Sequence, residues 1–197
     1  MKSLAIEREF GSGGREIGTK ISKKLGIPCY DGQLIIKAAE DYGVELDLLK
    51  KYDETTTGSL LYSLALISNL QGYEHMSKYN EMFYAIQQTI KKLEMQGPAI
   101  FIGRCCTEIL QPEHTKKVFI YASNELDRLS TIMKHENVDA TQAVNIMKKK
   151  DKERTNYFRF WTNKDWKDWN NYDLCLNTST HSIDECVRLL ADEISNY

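Results

Sequence analysis

The sequence predicts an α/β fold in which a parallel sheet lies between two layers of helices. Short apolar runs of strand length alternate along the chain with segments whose apolar residues recur at helical spacing. The apolar runs are continuous rather than alternating, which is typical of parallel strands buried on both faces. Strands that are joined through helices run parallel, so these observations favour a three-layer α/β/α arrangement.

The first strand and the first helix flank a glycine-rich loop. Residues 4–6 form the predicted strand, residues 11–14 form the loop, and the following helix carries apolar residues one turn apart. These apolar residues are Ile17, Ile21 and Leu25. Gly26 and Pro28 end the predicted helix.

Four further runs have the length and composition of buried strands. They are residues 29–30, 99–102, 118–122 and 172–176. An apolar stripe predicts a core-facing helix that ends near Gly97, and its members are Met82, Phe83, Ile86, Ile90 and Leu93. A later helix begins at Asp139 or Thr141 and ends in the basic run 148–150, and Ser182 with Glu185 forms a capping box for the last helix.

The bulk composition predicts one folded domain covering residues 1–197. The chain has 42% hydrophobic and 27% charged residues, which is typical of a globular protein. Its 26 basic and 28 acidic residues give a net charge of −2, so a long-range attraction for nucleic acids or anionic membranes is not expected. Any anion-binding site must therefore be local.

The N-terminus and the cysteines predict a cytoplasmic protein. Glu7 and Arg8 interrupt the N-terminal apolar segment before it reaches the length of a signal peptide, and no later run reaches membrane-spanning length. The five cysteines form no C-x-x-C pair and are expected to be reduced. The four histidines show no metal-ligand spacing, so no side-chain metal site is predicted.

The loop of Gly11, Ser12, Gly13 and Gly14, followed by Arg15, is the first candidate site. A glycine loop between a strand and a helix presents backbone N–H groups and a helix N-terminus to an anion, which predicts phosphate binding; a tight structural turn is the alternative. In a Walker A motif, G-x-x-x-x-G-K-[ST], Arg8 would replace the first glycine and Gly14 the lysine. Arg15 or Arg8 could supply the missing charge, and a protein that binds nucleotide without catalysis would have the same sequence pattern.

Arg104 and Asp31 each follow a predicted strand, at the edge where open α/β sheets bind ligands. Arg104 could hold a second phosphate group or could pair with Glu108 one turn later. Asp31 could bind a substrate hydroxyl or the waters of a magnesium ion, or it could cap the next helix.

The basic segment 148–154 and Arg159 form the third candidate site. In a kinase, such a segment is a lid whose cations neutralise the migrating phosphoryl group; a solvated helix end is the alternative. Aromatic residues then alternate with lysines around Trp161, Trp166 and Trp169, which leaves single-stranded nucleic-acid binding as a separate hypothesis.

Six segments, in this order, resemble the cytidylate-kinase-like family over most of the chain. They are AIEREFGSGGREIG, LGIPCYDGQLI, FIGRCCTEIL, VFIYAS, KKKDKERTNYFRFW and NYDLCLNTST. The resemblance implies a P-loop nucleoside-monophosphate-kinase fold, with a helical acceptor-side insertion at about 32–97 and a lid at about 148–170. It implies ATP with Mg²⁺ as donor and CMP or dCMP as acceptor. The charge balance and the lack of a membrane-spanning run predict neither nucleic acid nor membrane as partner.

The resemblance also assigns residues to roles. It places Gly11, Ser12, Gly13, Gly14 and Arg15 at the donor, Asp31 and Arg104 at the acceptor, and Asp151, Arg154 and Arg159 in the lid. The expected catalytic cations are Arg15, Arg104, Arg154 and Arg159, and Asp151 is expected to help bind the substrate.

Overall fold

A computed structural model describes residues 1–35 and 74–196, without the side chains of 74–79 and 82. The described residues contain five strands: β1 (Ser3–Arg8), β2 (Cys29–Tyr30), β3 (Ile100–Ile102), β4 (Thr115–Tyr121) and β5 (Leu174–Asn177). The α-helices with both ends described are α1 (Gly14–Leu25), α2 (Glu74–Met95), α3 (Cys106–Ile109), α4 (Glu125–Glu136), α5 (Ala140–Thr162) and α6 (Ile183–Ser195), and a short 3-10 helix spans Trp169–Asn171. Residues 32–35 are also helical. Much of the predicted insertion at about 32–97 lies outside the described residues.

The five strands form one parallel sheet in the order β2-β3-β1-β4-β5. The first strand is central: Ile6 pairs with Ile102 of β3 on one side and with Val118 of β4 on the other. Because the strands are parallel, their carboxyl ends lie at one edge of the sheet. The loop after β1 therefore lies beside the turn after β3.

Two apolar layers bury the two faces of the sheet. On one face, Ala5, Phe101 and Phe119 pack with Phe158 of α5 and with Trp166. On the other face, the core is formed by Leu4, Ile6, Ile17, Ile21, Val118, Ile120, Leu190 and Ile194, so α1 and α6 cover this side. The predicted three-layer α/β fold is confirmed.

The helix α5 differs from its predicted extent. It begins after Asp139, whose side chain and that of Gln142 form a capping box, but it runs to Thr162 rather than ending at residues 148–150. Its buried side includes Met147, just before the basic run, and Phe158, after it. Core packing on that side outweighs the tendency of lysines to mark a helix C-terminus. None of the helices in the described ranges is both long and apolar enough to cross a membrane.

Candidate functional site

The glycine loop leads into the N-terminus of α1, which has no side-chain cap in the described part of the chain, at the carboxyl edge of the sheet. Gly11 and Gly13 both have φ of 81°, a left-handed conformation that glycine adopts without strain. Gly13 is the N-cap of α1, and no side chain of the described residues caps the first turn there. The backbone donors of that turn therefore point toward a site suited to a phosphate. The buried Ser12 hydroxyl instead donates to the carbonyls of Glu9 and Ile120, at 2.9 and 3.1 Å, and fixes the loop on β4.

A buried ion-pair network holds the loop against α4 and α5. The Asp151 carboxylate accepts a hydrogen bond from the Phe10 N–H at 2.8 Å and pairs with Arg128. Arg128 also donates through Nε to the Phe10 carbonyl at 2.8 Å and lies 3.3 Å from the Glu9 carboxylate. Lys167 pairs with the other oxygen of Glu9. The structure thus places Asp151 beneath the loop, and its predicted contact with substrate stays a prediction.

Arg8 fills the space between the loop and the end of β3. A Cβ atom at Gly14 would lie 2.6 Å from the Cβ of Arg8, and one at Gly103 would lie 2.2 Å from its Nη1. The Arg8 side chain therefore runs from the first turn of α1 to the turn after β3. Among the described residues, no carboxylate forms an ion pair with it, and burial lowers its pKa.

Arg154 reaches the same place from α5. Its Nη1 donates to the Arg8 carbonyl at 2.7 Å, and its guanidinium lies 5.3 Å from the centre of the Phe10 ring. Burial, together with the positive charge of Arg8, lowers the pKa of Arg154 to about 9. These two cations are held close together at a free-energy cost, and a bound anion would remove part of it.

Arg104 is held by an unusual turn. Gly103, Arg104 and Cys105 have φ values of 77°, 59° and 56°, so three consecutive residues are left-handed and two of them are not glycine. The turn directs Arg104 to Gly32, where an added Cβ would lie 3.0 Å from the Arg104 Nε, and the guanidinium lies 5.8 Å from the Tyr157 ring.

The alternative partner for Arg104, Glu108, is engaged elsewhere. Lys164 pairs with Glu108 at 2.5 Å, and the Lys117 Nζ lies 3.9 Å from its other oxygen. The positive charge of Arg104 contributes to the lowered pKa of Arg8.

Asp31 and Arg15 form a pair at the rim of this site. The Arg15 Nη2 lies 2.6 Å from the Asp31 Oδ2, and the Arg15 side chain is 69% exposed. The other oxygen of Asp31 accepts from the N–H groups of Gln33 and Leu34, both at 3.1 Å, and residues 32–35 are helical. Asp31 therefore caps a helix and also holds Arg15 away from the centre of the arginine group.

Glu7 is a buried carboxylate behind the arginines. Its Oε2 accepts from the Trp166 indole N–H at 3.2 Å, and its Oε1 is buried without a hydrogen-bond partner in the described part of the chain. Burial raises the pKa of Glu7, whereas the charges of Arg8 and Arg154 act in the opposite direction.

The remaining candidates lie apart from this centre. Arg159 is exposed near the end of α5. Trp166 is fully buried and Trp161 stacks on Phe83 with ring centres 3.9 Å apart, so two of the three tryptophans proposed as a nucleic-acid platform pack into the protein. Trp169 is 71% exposed. No group of three or more His, Cys, Asp or Glu side chains in residues 1–35 and 74–196 is arranged to hold a metal ion.

The geometry agrees with what sequence comparison finds. The sequence profile of the cytidylate kinase-like family matches residues 3–180. This chain belongs to the cytidylate kinase-like family. Membership in this kinase-like family supports phosphoryl transfer as its class of reaction. A search of curated proteins finds no match for the chain.

Solved structures show that this family member has a fold shared with P-loop kinases. An uncharacterised protein from Eubacterium ventriosum ATCC 27560 is similar with a TM-score of 0.76 and 24% identity, and the match covers 100% of both chains. A gluconokinase from Sinorhizobium meliloti 1021 is similar with a TM-score of 0.53 and 12% identity, over 99% of this chain and 92% of that one. These likenesses concern the fold.

The sequence of this family member leaves Arg15 and Arg8 as alternatives for the loop cation, with Arg15 as the expected catalytic residue. The structure places Arg8 between the loop and the turn after β3, and Arg15 in an ion pair with Asp31. The catalytic roles of Arg15, Arg104 and Arg154 stay predictions. The sequence did indicate that Arg8 is unusual, because it ends a buried strand, and charged side chains are rarely buried without a partner. Nothing in the sequence indicated Arg128, because it lies on α4, a helix of surface composition that is far from the loop in sequence.

Proposed function

We propose that this protein is an ATP-dependent kinase that phosphorylates a nucleoside monophosphate, with CMP or dCMP as the acceptor. One observation carries the proposal: the Arg8 side chain runs from the first turn of α1 to the turn that carries Arg104, and Arg154 donates to the Arg8 carbonyl. Such a concentration of partly buried cations is suited to several phosphate groups at once. The proposal includes a cytosolic location.

The loop N–H groups and the N-terminus of α1 would bind the donor phosphates. Arg104 would hold the acceptor phosphate, and Arg154 would neutralise charge on the migrating group; Arg159 keeps its predicted lid role. An acceptor phosphate oxygen attacks the γ-phosphorus of ATP, the bond from that phosphorus to the β,γ-bridging oxygen breaks, and ADP leaves with the electron pair. Positioning and charge neutralisation supply most of the catalysis in such a transfer.

Mg²⁺ would arrive bound to the donor phosphates, because this ion keeps several waters and takes few protein ligands in kinases. It would supply charge neutralisation between the β- and γ-phosphates. Asp31 keeps its predicted role as the carboxylate that binds these waters; it lies at the rim of the site, paired with Arg15.

The test is an ADP-release assay with ATP, Mg²⁺ and a panel of CMP, dCMP, UMP, AMP and GMP. Gluconate belongs in the panel because one structural neighbour is a gluconokinase. We expect turnover with CMP or dCMP that falls about 100-fold or more in Arg104→Gln, the size of effect seen when one charge-stabilising donor is lost. Arg188→Gln, an exposed position on α6, is the matched control and should keep full activity.

Two outcomes would contradict the proposal in different ways. ATP binding without turnover on any acceptor would indicate a catalytically silent nucleotide-binding module, which the absence of a lysine at Gly14 favours. A protein that binds no ATP would remove the kinase proposal altogether.

A further inference from the structure

The geometry points to Arg8 as the cation that holds the terminal phosphate of the donor, in place of the lysine that the loop lacks. This inference deepens the proposed kinase function and rests on it. It rests on a steric observation: the Arg8 side chain occupies the space that a side chain would need at two glycines distant in the sequence, Gly14 and Gly103.

Arg8 occupies the start of the path that a side chain at position 14 would follow. A Cβ at Gly14 would meet the Cβ of Arg8 at 2.6 Å and its Cγ at 2.9 Å, and it would meet the Cβ of Ile120 at 3.3 Å. The Cβ of Arg8 is fixed by the backbone, so no rotation of the Arg8 side chain relieves the 2.6 Å contact. A lysine at position 14 and the arginine at position 8 therefore exclude each other.

The guanidinium of Arg8 reaches the centre of the site because position 103 has no side chain. A Cβ there would lie 2.2 Å from the Arg8 Nη1 and 3.3 Å from its Cζ. The left-handed φ of Gly103, 77°, is a second reason for glycine at that position. The cation thus lies between the α1 N-terminus and the turn that carries Arg104, where donor and acceptor phosphates would meet.

The available charges favour Arg8 over Arg15 for this role. Arg15 is bound to Asp31 at 2.6 Å and is mostly exposed. Arg8 forms no ion pair with a carboxylate of the described residues, although the negative charges of Glu7 and Asp31 act on it and partly offset burial and the positive charge of Arg104. An unpaired, partly buried guanidinium gains most from a doubly charged phosphate group.

The experiment measures the dissociation constants of ATP and ADP, each with Mg²⁺, by calorimetry. The wild-type protein should bind ATP more tightly than ADP. Arg8→Gln should lose about 10- to 100-fold in ATP affinity, the value of one charge-assisted hydrogen bond, while ADP affinity changes far less. Arg15→Ala should keep the ATP-to-ADP ratio, and Arg188→Gln is the exposed control.

A double variant that moves the positive charge from position 8 to position 14 tests whether the side chains at these two positions exclude each other. Arg8→Gly combined with Gly14→Lys restores the lysine-bearing loop pattern and should regain most of the lost ATP preference. If Arg8→Gln does not fold, this double variant carries the test, and a folded double variant without ATP preference overturns the inference.

The binding measurements distinguish a failure of the Arg8 inference from a failure of the kinase proposal. If Arg8→Gln keeps the wild-type ATP-to-ADP ratio, Arg8 does not hold the terminal phosphate, and the kinase proposal stands. If the wild-type protein binds neither nucleotide, the kinase proposal fails and this inference fails with it.

Discussion

Adding one methyl group at Gly14 should destabilise the protein, and removing the Arg8 side chain should abolish that effect. The Cβ of an alanine at position 14 would lie 2.6 Å from the Arg8 Cβ and 2.9 Å from its Cγ, closer than carbon atoms normally approach. Overpacking of this kind costs about 1–3 kcal/mol. The backbone at Gly14 is helical, so strain from a left-handed φ does not contribute.

The choice of replacement at position 8 separates the steric effect from the charge effect. Arg8→Gly removes both close atoms and leaves only the 3.3 Å contact with Ile120, so Gly14→Ala should become nearly neutral in that background. Arg8→Ala removes the charge but keeps the nearer atom, so most of the cost should persist. The expected coupling between Gly14→Ala and Arg8→Gly is therefore about 1–3 kcal/mol.

Urea unfolding of the four proteins of this double-mutant cycle, followed by tryptophan fluorescence, measures the coupling. The slope m should stay constant across the set, so that differences report stability. Gly26→Ala is a suitable control, since a Cβ at Gly26 meets nothing within 4 Å and its cost comes from a φ of +67°. That cost should not depend on position 8. An equal cost of Gly14→Ala with arginine and with glycine at position 8 would refute the steric reasoning.

Three further predictions concern the groups around the site. Burial raises the pKa of Glu7 above 4.5, so the unfolding free energy should fall as pH rises from 4.5 through the folded-state pKa. Urea titrations at several pH values should show that Glu7→Gln removes this fall. Identical pH profiles of the wild-type protein and Glu7→Gln would contradict the prediction. Asp151→Asn should lower the unfolding free energy by about 3 kcal/mol, measured by urea denaturation, because it removes one of the two carboxylates that neutralise the buried Arg128. Cys105 and Cys106 should resist alkylation at about pH 8 in the native protein but not in urea, as mass spectrometry would show, because burial raises the pKa of both thiols.

The parts of the fold that depend on local composition could be predicted from the sequence. The glycine loop is recognisable because left-handed backbone at Gly11 and Gly13 requires residues of that type. The capping residues Asp139 and Ser182 likewise mark where α5 and α6 begin. The end of α5 could not be predicted, because Phe158 is held by core packing that the basic run in sequence does not reveal.

The parts of the site that depend on long-range contacts could not be predicted. Arg154 meets the Arg8 carbonyl across 146 positions of sequence, and Asp151 meets Phe10 across 141. Such pairings follow from the sheet order and the path of α5, which sequence periodicity does not determine. The lid and the loop were therefore predicted as separate candidate sites, although the structure joins them directly.

The contacts by which α5 supports the loop involve the loop backbone. Arg154 is bound to the backbone carbonyl of Arg8 rather than to its side chain, so replacing the Arg8 side chain leaves this contact in place. The Asp151 bond to the Phe10 N–H is likewise a backbone contact. The frame that shapes the loop is thus independent of the side chain that we propose as its cation. For this reason, moving the positive charge from position 8 to position 14 tests the chemistry of the site without dismantling its support.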